Sequence, residues 1–256
     1  MRYNNMPELR KDPIIERWVI ISVERAKRPN DFKVSHTGEE ESFCPFCEGQ
    51  EEHTPSEIFA ERKPGTRKDG PGWETRVVPS VSERFTIYGN LERRGLGMYD
   101  IMNPIGAHEV IIESPTHYSD ISQLPLDKLE LAIKTALFRI TDLEKDIRFK
   151  YCLLFKNHGA KAGGSKFSKH VRSQIIATPV TPTRVKEELR GSRTYYHYKE
   201  RCVFCDLIRQ EMESGTRVIM DSQHMIALAP FASRFPFEIW LLPKKHSSDF
   251  MNIQKE

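Results

Sequence analysis

Two pairs of cysteines have the spacing best suited to chemistry, Cys44-Pro-Phe-Cys47 and Cys202-Val-Phe-Cys205. A C-x-x-C turn places two sulfurs on one side of a tight bend, and thiolate with imidazole is the set that Zn2+ accepts in a tetrahedron. Further ligands must be histidines remote in sequence. His53, His108, His117, His158 and His170 are the candidates for the first pair, and spacing does not choose among them. His246, after Pro243-Lys-Lys and an expected strand, is the candidate for the second. Reduced, metal-free cysteine pairs are the competing reading. Cys152 lies in the apolar run 151–155 and reads as a small buried hydrophobe without a role.

The second chemical signal is the segment from Phe155 to Ala177, rich in glycine, lysine and serine between two apolar stretches. Gly159, Gly163 and Gly164 would let backbone N–H groups close around an anion. Ser165 and Gln174 offer hydrogen-bond donors, and Arg172 offers a two-pronged guanidinium grip on phosphate. A solvated basic loop has the same composition, so both readings stand at this point.

Elements must hold these residues in place. Residues 18–23 read as a strand and 31–75 as loop around the first cysteine pair. Strands are expected at 75–78 and 108–113. Pro125 opens the strongest helix, with Leu126, Leu129, Ile133, Ala136, Leu137, Ile140 and Leu143 recurring at three and four, and the stripe over 129–143 expected in the core. Strands follow at 151–155 and 173–178, and a shorter helix begins at 182–189. Strands at 218–220, 225–229 and 238–242 complete the pattern. Alternation without strict βαβ repetition predicts an α+β fold with mostly antiparallel sheet. The paired cysteine motifs suggest duplicated halves, 1–180 and a partial 198–256.

Composition sets the outer limits. The 256 residues are 38% hydrophobic and 29% charged, enough to bury a core. A net charge of +3 gives no field to argue for nucleic acid or a membrane surface. No apolar run approaches the roughly 20 residues of a membrane span, and residues 1–5 lack a signal peptide's apolar stretch. A cytoplasmic protein is expected.

An ordered set of segments is similar to the galactose-1-phosphate uridylyltransferase family of the histidine-triad superfamily. It comprises Leu9-Arg-Lys-Asp-Pro13, Arg17-Trp-Val-Ile20, Glu24-Arg-Ala-Lys-Arg-Pro29, Cys44-Pro-Phe-Cys47 and Arg76-Val-Val-Pro79. It continues through Ser114-Pro-Thr-His117, Asn157-His-Gly159, Gly164-Ser165, Ser173-Gln174-Ile-Ile-Ala177 and the stretch from Phe231 to His246. The resemblance implies duplicated histidine-triad-like halves and a zinc-containing nucleotidyltransferase of carbohydrate, here galactose, metabolism. Its substrates would be a nucleoside-diphosphate sugar and a sugar 1-phosphate, and its assembly a homodimer. Carried over by position, Arg25, Arg28, Asn157, Gly164 and Ser165 contact ligand, and Gln174 supports the transferred phosphoryl group. Cys44, Cys47 and His117 match zinc ligands, while Cys202, Cys205 and His246 resemble the second site of some members.

The chain departs from the family at its His-x-His-x-Gln core, reading His170-Val-Arg172-Ser-Gln174. Anchored on Gln174, His170 takes the metal position and Arg172 replaces the nucleophile. Counted from Gly164-Ser165, the loop is two residues longer, Ser168 takes the first position and His170 the nucleophile's. The glutamine anchor is preferred, because 173–177 matches without a gap. Arginine stays protonated at neutral pH and grips phosphate rather than attacking it. That register leaves direct transfer between two bound substrates, another nucleophile such as His158, or binding alone. The chain also ends sooner after His246 than the family does. Three readings follow: a nucleotidyltransferase, a catalytically silent zinc-containing nucleotide-binding protein, and a phosphorylase or hydrolase of the same superfamily.

Overall fold

A computed structural model describes residues 8–21, 43–81, 85–159, 162 and 169–253. The strands, in chain order, are β1 (Glu8–Lys11), β2 (Trp18–Ile21), β3 (Phe59–Arg62), β4 (Trp73–Pro79), β5 (Arg94–Leu96) and β6 (Tyr99–Ile101). They continue as β7 (Ala107–Ile112), β8 (Tyr151–Phe155), β9 (Arg172–Thr178), β10 (Val218–Asp221), β11 (Met225–Leu228) and β12 (Trp240–Pro243). The helices are α1 (Leu126–Leu143), α2 (Thr183–Lys199) and α3 (Val203–Ser214). Every pairing between these strands is antiparallel, as the α+β expectation requires. The described residues fall into two compact units, one within 43–181 and the other joining 8–21 to 182–253.

The first unit is built on a five-stranded sheet in the order β3-β4-β7-β9-β8. Its central strand, Ala-His-Glu-Val-Ile-Ile, is covered on both faces, which is why it reads as a near-continuous apolar run. Register pairs Val77 with Ile111, Glu109 with Ile175 and Ala107 with Ala177, so these side chains share one face. Helix α1 covers that face. Thr75 and Thr135 join hydroxyls at 2.8 Å, and buried Arg139 donates from Nε and Nη2 to buried Glu109 at 2.8 Å each. The helix begins behind Pro125, whose φ of −55° is already helical and whose carbonyl accepts from Leu129 N–H.

The apolar stripe expected over 129–143 turns inward except at Ile133. Ala132, Ala136, Ile140 and Leu143 are buried, but Leu126 is 83% exposed and Ile133 38% exposed. The polar contacts to Thr75 and Glu109 set the helix's rotation and bring Thr135 and Arg139 inward instead. Gly106 admits the entry to β7, since a Cβ there would lie 2.6 Å from the Ala177 carbonyl oxygen.

The loop expected over 31–75 holds strand as well: β3 pairs with β4 and β4 starts at Trp73. A four-residue Phe-Ala-Glu-Arg strand is too short to display a period. A polar network ties this region down. Buried Arg76 donates to Glu57, Thr54 and Asp69, and Trp73 Nε1 donates to buried Glu51 at 2.7 Å.

The second unit contains the β1–β2 hairpin, the sheet β10-β11-β12, and helices α2 and α3. Buried Asp12 turns the hairpin by accepting the N–H groups of Ile14 and Ile15. Ile208, Ile226 and Leu228 form a core with Val218, Trp240 and Leu242. Helix α2 runs 17 residues, longer than expected, with no buried residue and so little apolar period to read. Helix α3 is a further addition, since the Cys202–Cys205 spacing that signals a metal knuckle is also its N-cap and first turn.

Candidate functional site

Cys44 and Cys47 sit on a tight turn in which Cys47 N–H donates to the Cys44 carbonyl. Glu48 N–H donates to the Pro115 carbonyl at 3.1 Å, which brings the turn against the loop carrying His117. Just before β9 stands His170, its chain held by Val171 N–H donating to the Tyr118 carbonyl at 2.7 Å. The result is four ligand atoms within 4.8 Å of one another: Cys44 Sγ, Cys47 Sγ and nitrogens of His117 and His170. Cys44 Sγ lies 3.6 Å and Cys47 Sγ 3.7 Å from His170 Nδ1, and Cys47 Sγ lies 3.5 Å from His117 Nδ1. Zinc bonds of about 2.0–2.3 Å in a tetrahedron separate ligands by roughly 3.6 Å, so this donor set fits the ion in number, chemistry and spacing.

His170 is prepared for that task. Its Nε2 hydrogen-bonds the Ser114 carbonyl at 2.8 Å, which places the proton there and turns the Nδ1 lone pair toward the sulfurs. Burial pushes His170 down to about 4, with His117, Arg172 and Lys156 adding to the effect against the Ser114 carbonyl. The ring is therefore neutral at pH 7. Of the other candidates, His53 faces Glu52, His158 faces Asp120, and His108 faces Gln174.

The second group unites Cys202, Cys205 and His246. Cys202 occupies the N-cap of α3 and Cys205 its first turn, so helical spacing puts both sulfurs on one side. Cys205 Sγ lies 3.2 Å from His246 Nδ1. Burial, then the neighbouring Cys202, raises the Cys205 thiol. The group fits zinc with three protein ligands and a fourth position for another donor.

Arg172 and Gln174 occupy one face of β9, the face opposite α1. Arg172 donates to the His170 carbonyl at 3.0 Å, and its guanidinium lies 5.0 Å from the centre of the Phe46 ring in the first knuckle. Gln174 Oε1 lies 2.9 Å from His108 Nε2 on the neighbouring strand. Next to them Glu113, buried, accepts from Lys156 Nζ and Ser173 Oγ, while Lys156 also donates to the Arg172 carbonyl. Neither Glu113 nor Lys156 stands out in the sequence, because their partnership crosses 43 residues. Asn157 is exposed just beyond β8. Arg25, Arg28, Gly163, Gly164, Ser165 and Ser168 lie outside the described residues.

Residues 98–179 match a family described as the N-terminal domain of a domain of unknown function, DUF4931. The ADP-glucose phosphorylase of Arabidopsis thaliana is 37% identical over 98% of this chain and 69% of its own length. A crystal structure of that enzyme with bound ADP-glucose superposes with a TM-score of 0.77 at 35% identity, over 97% of this chain and 72% of that one. The chain belongs to the galactose-1-phosphate uridylyltransferase-like family. A galactose-1-phosphate uridylyltransferase of Thermotoga maritima is 29% identical over 98% of this chain and 71% of its own length. A uridylyltransferase structure superposes with a TM-score of 0.68 at 27% identity. These galactose-1-phosphate uridylyltransferase-like relatives are enzymes, and the mixed fold with its large antiparallel sheet is theirs. Among the described residues, no helix is long and apolar enough to cross a membrane.

Proposed function

We propose that this chain binds a nucleoside-diphosphate sugar and transfers its nucleoside monophosphate between sugar 1-phosphates or to a related phosphate acceptor. The carrying observation is the pair Arg172 and Gln174, side by side on one face of β9 and anchored beside the first Cys/His group. A guanidinium and an amide at that spacing suit the oxygens of a pyrophosphate. We assign zinc to Cys44, Cys47, His117 and His170, and to Cys202, Cys205 and His246, as a structural cross-link in each unit. In this reading Asn157, Ser165, Gly164, Arg25 and Arg28 contribute further ligand contacts. Residues 198–256 represent a partial counterpart of the 1–180 half. Two C-x-x-C pairs read as metal-binding thiols favour a cytoplasmic setting.

With Arg172 in the nucleophile's position and His170 turned toward the thiols, the reaction is a direct displacement. An oxygen of the acceptor phosphate attacks the α-phosphorus while the bond from that phosphorus to the bridging oxygen breaks. The sugar 1-phosphate leaves with that oxygen and its electron pair. Arg172 and Gln174 hold the charge on the α-phosphate in line. A second reading, nucleotide binding without transfer, draws support from the same arginine, since it holds the position that matches the family's nucleophile. Intact-protein mass spectrometry after incubation with UDP-glucose or ADP-glucose, quenched at alkaline pH, should reveal no nucleotidyl adduct, and product should form only with acceptor present. Ligand in hundredfold excess over Kd should stabilise the fold by about 2.7 kcal/mol. No thermal shift with either sugar nucleotide would overturn the ligand class.

A further inference from the structure

We infer that His108 is a positioning residue that fixes the amide of Gln174, so that its N–H donors rather than its oxygen face the ligand's phosphate; this rests on the nucleotide-binding reading above. His108 and Gln174 sit on adjacent strands, two residues apart in register and on the same face of the sheet. Their side chains meet at 2.9 Å between Nε2 and Oε1. The other ring nitrogen, Nδ1, is buried with no hydrogen-bond partner among the described residues. Two costs therefore point the same way. A proton on Nδ1 would leave a buried donor unmade, and would set the Nε2 lone pair against the lone pairs of Oε1. With the proton on Nε2, His108 donates and the Gln174 oxygen accepts.

An amide held by its oxygen presents its nitrogen. The Gln174 Nε2 group has no hydrogen bond to a described residue, and it shares its face of β9 with Arg172. An amide flipped end for end would turn its oxygen toward an anion already gripped by Arg172. A single hydrogen bond from β7 thus decides whether Gln174 attracts or repels phosphate.

Calorimetric titration of the full chain with ADP-glucose and with UDP-glucose tests the inference through a double-mutant cycle. His108→Phe is expected to weaken binding about tenfold, the worth of one hydrogen bond plus a misdirected amide. Gln174→Ala should lose a similar factor, and the double variant should bind no more weakly than Gln174→Ala alone. His108→Gln, which returns a donor at similar reach, should recover most of the loss. Equal binding by His108→Phe and the native chain, or independent losses in the double variant, would overturn the inference. Should His108→Phe fail to fold, His108→Asn carries the same cycle with a shorter donor. Failure of the native chain to bind either probe would defeat the functional reading instead. The Gln174 side-chain amide resonances, assigned by their loss in Gln174→Ala, then decide the positioning alone. They should move in His108→Phe without any ligand, and an unchanged pair would sink it.

Discussion

In the direct-displacement reading proposed above, Arg172 is the residue that sets this chain apart from a covalent transferase. It stands two residues after His170 and two before Gln174, and it stacks on Phe46 of the first knuckle. Replacing it gives two opposite expectations. Arg172→Ala should weaken ADP-glucose or UDP-glucose binding by about 2 kcal/mol, the order of a hydrogen bond to a charged group, as read by calorimetry. Arg172→His should instead create an alkaline-stable nucleotidyl adduct at position 172, detected by intact mass and peptide mapping. An adduct on His170 of the native chain would restore the longer-loop register and remove His170 from the metal group. At this scale the sequence names the cysteines and narrows their partners to a few histidines. Spacing alone does not choose His117 and His170, because no spacing rule links Cys44 to a ligand 126 residues away; the family resemblance points to them, and the distances bring them to the sulfurs.

At the scale of elements, α1 and the β4–β7–β9 core hold the face that bears Arg172 and Gln174. Strands with dense β-branched sequence, and a helix opened by proline, are legible from the chain. The rotation of α1 is not, because it is set by Thr135 and Arg139 meeting Thr75 and Glu109. Arg139→Met strands a buried carboxylate and should cost about 3–5 kcal/mol by urea denaturation, with Glu109→Leu in the same chain recovering much of it. Failure of the double variant to recover would mean that the ion pair contributes more than charge balance. In the other unit α2 packs hard against the chain near Ile14. A Cβ at Gly191 would lie 1.7 Å from the Ile14 carbonyl oxygen, so Gly191→Ala must displace backbone and should cost on the order of 1–3 kcal/mol. An unchanged urea midpoint would show that the helix shifts freely.

At the scale of the molecule, each unit contains one Cys/His group among the described residues. Purified protein should hold two zinc ions per chain by elemental analysis, falling to one in Cys44→Ser and one in Cys205→Ser, with a lower melting temperature in each. Unchanged zinc in Cys44→Ser would refute the first site. Acid sensitivity tests the polar network around β4. Burial alone would raise the Asp69 carboxyl, but hydrogen bonds from Ser56, the Glu57 N–H and Arg76, with the charge of Arg76, hold it at about 2. The unfolded chain, titrating near 3.8, takes up its proton first as pH falls. That stabilisation is whole above about pH 4 and disappears between 3.8 and 2. Asp69→Asn should therefore be less stable than the native chain at pH 5 and approach it at pH 2, whereas a constant difference would exclude the carboxylate as its source. By itself the sequence determined the mixed antiparallel fold, the two cysteine knuckles and the glycine-rich segment, because turns, caps and apolar periods are written within short stretches. Only the tertiary structure decided that the named histidines reach the thiols, that Glu113 binds Lys156, and that His108 holds Gln174. Those partners lie on different strands and loops, and pairing register rather than sequence distance brings them together.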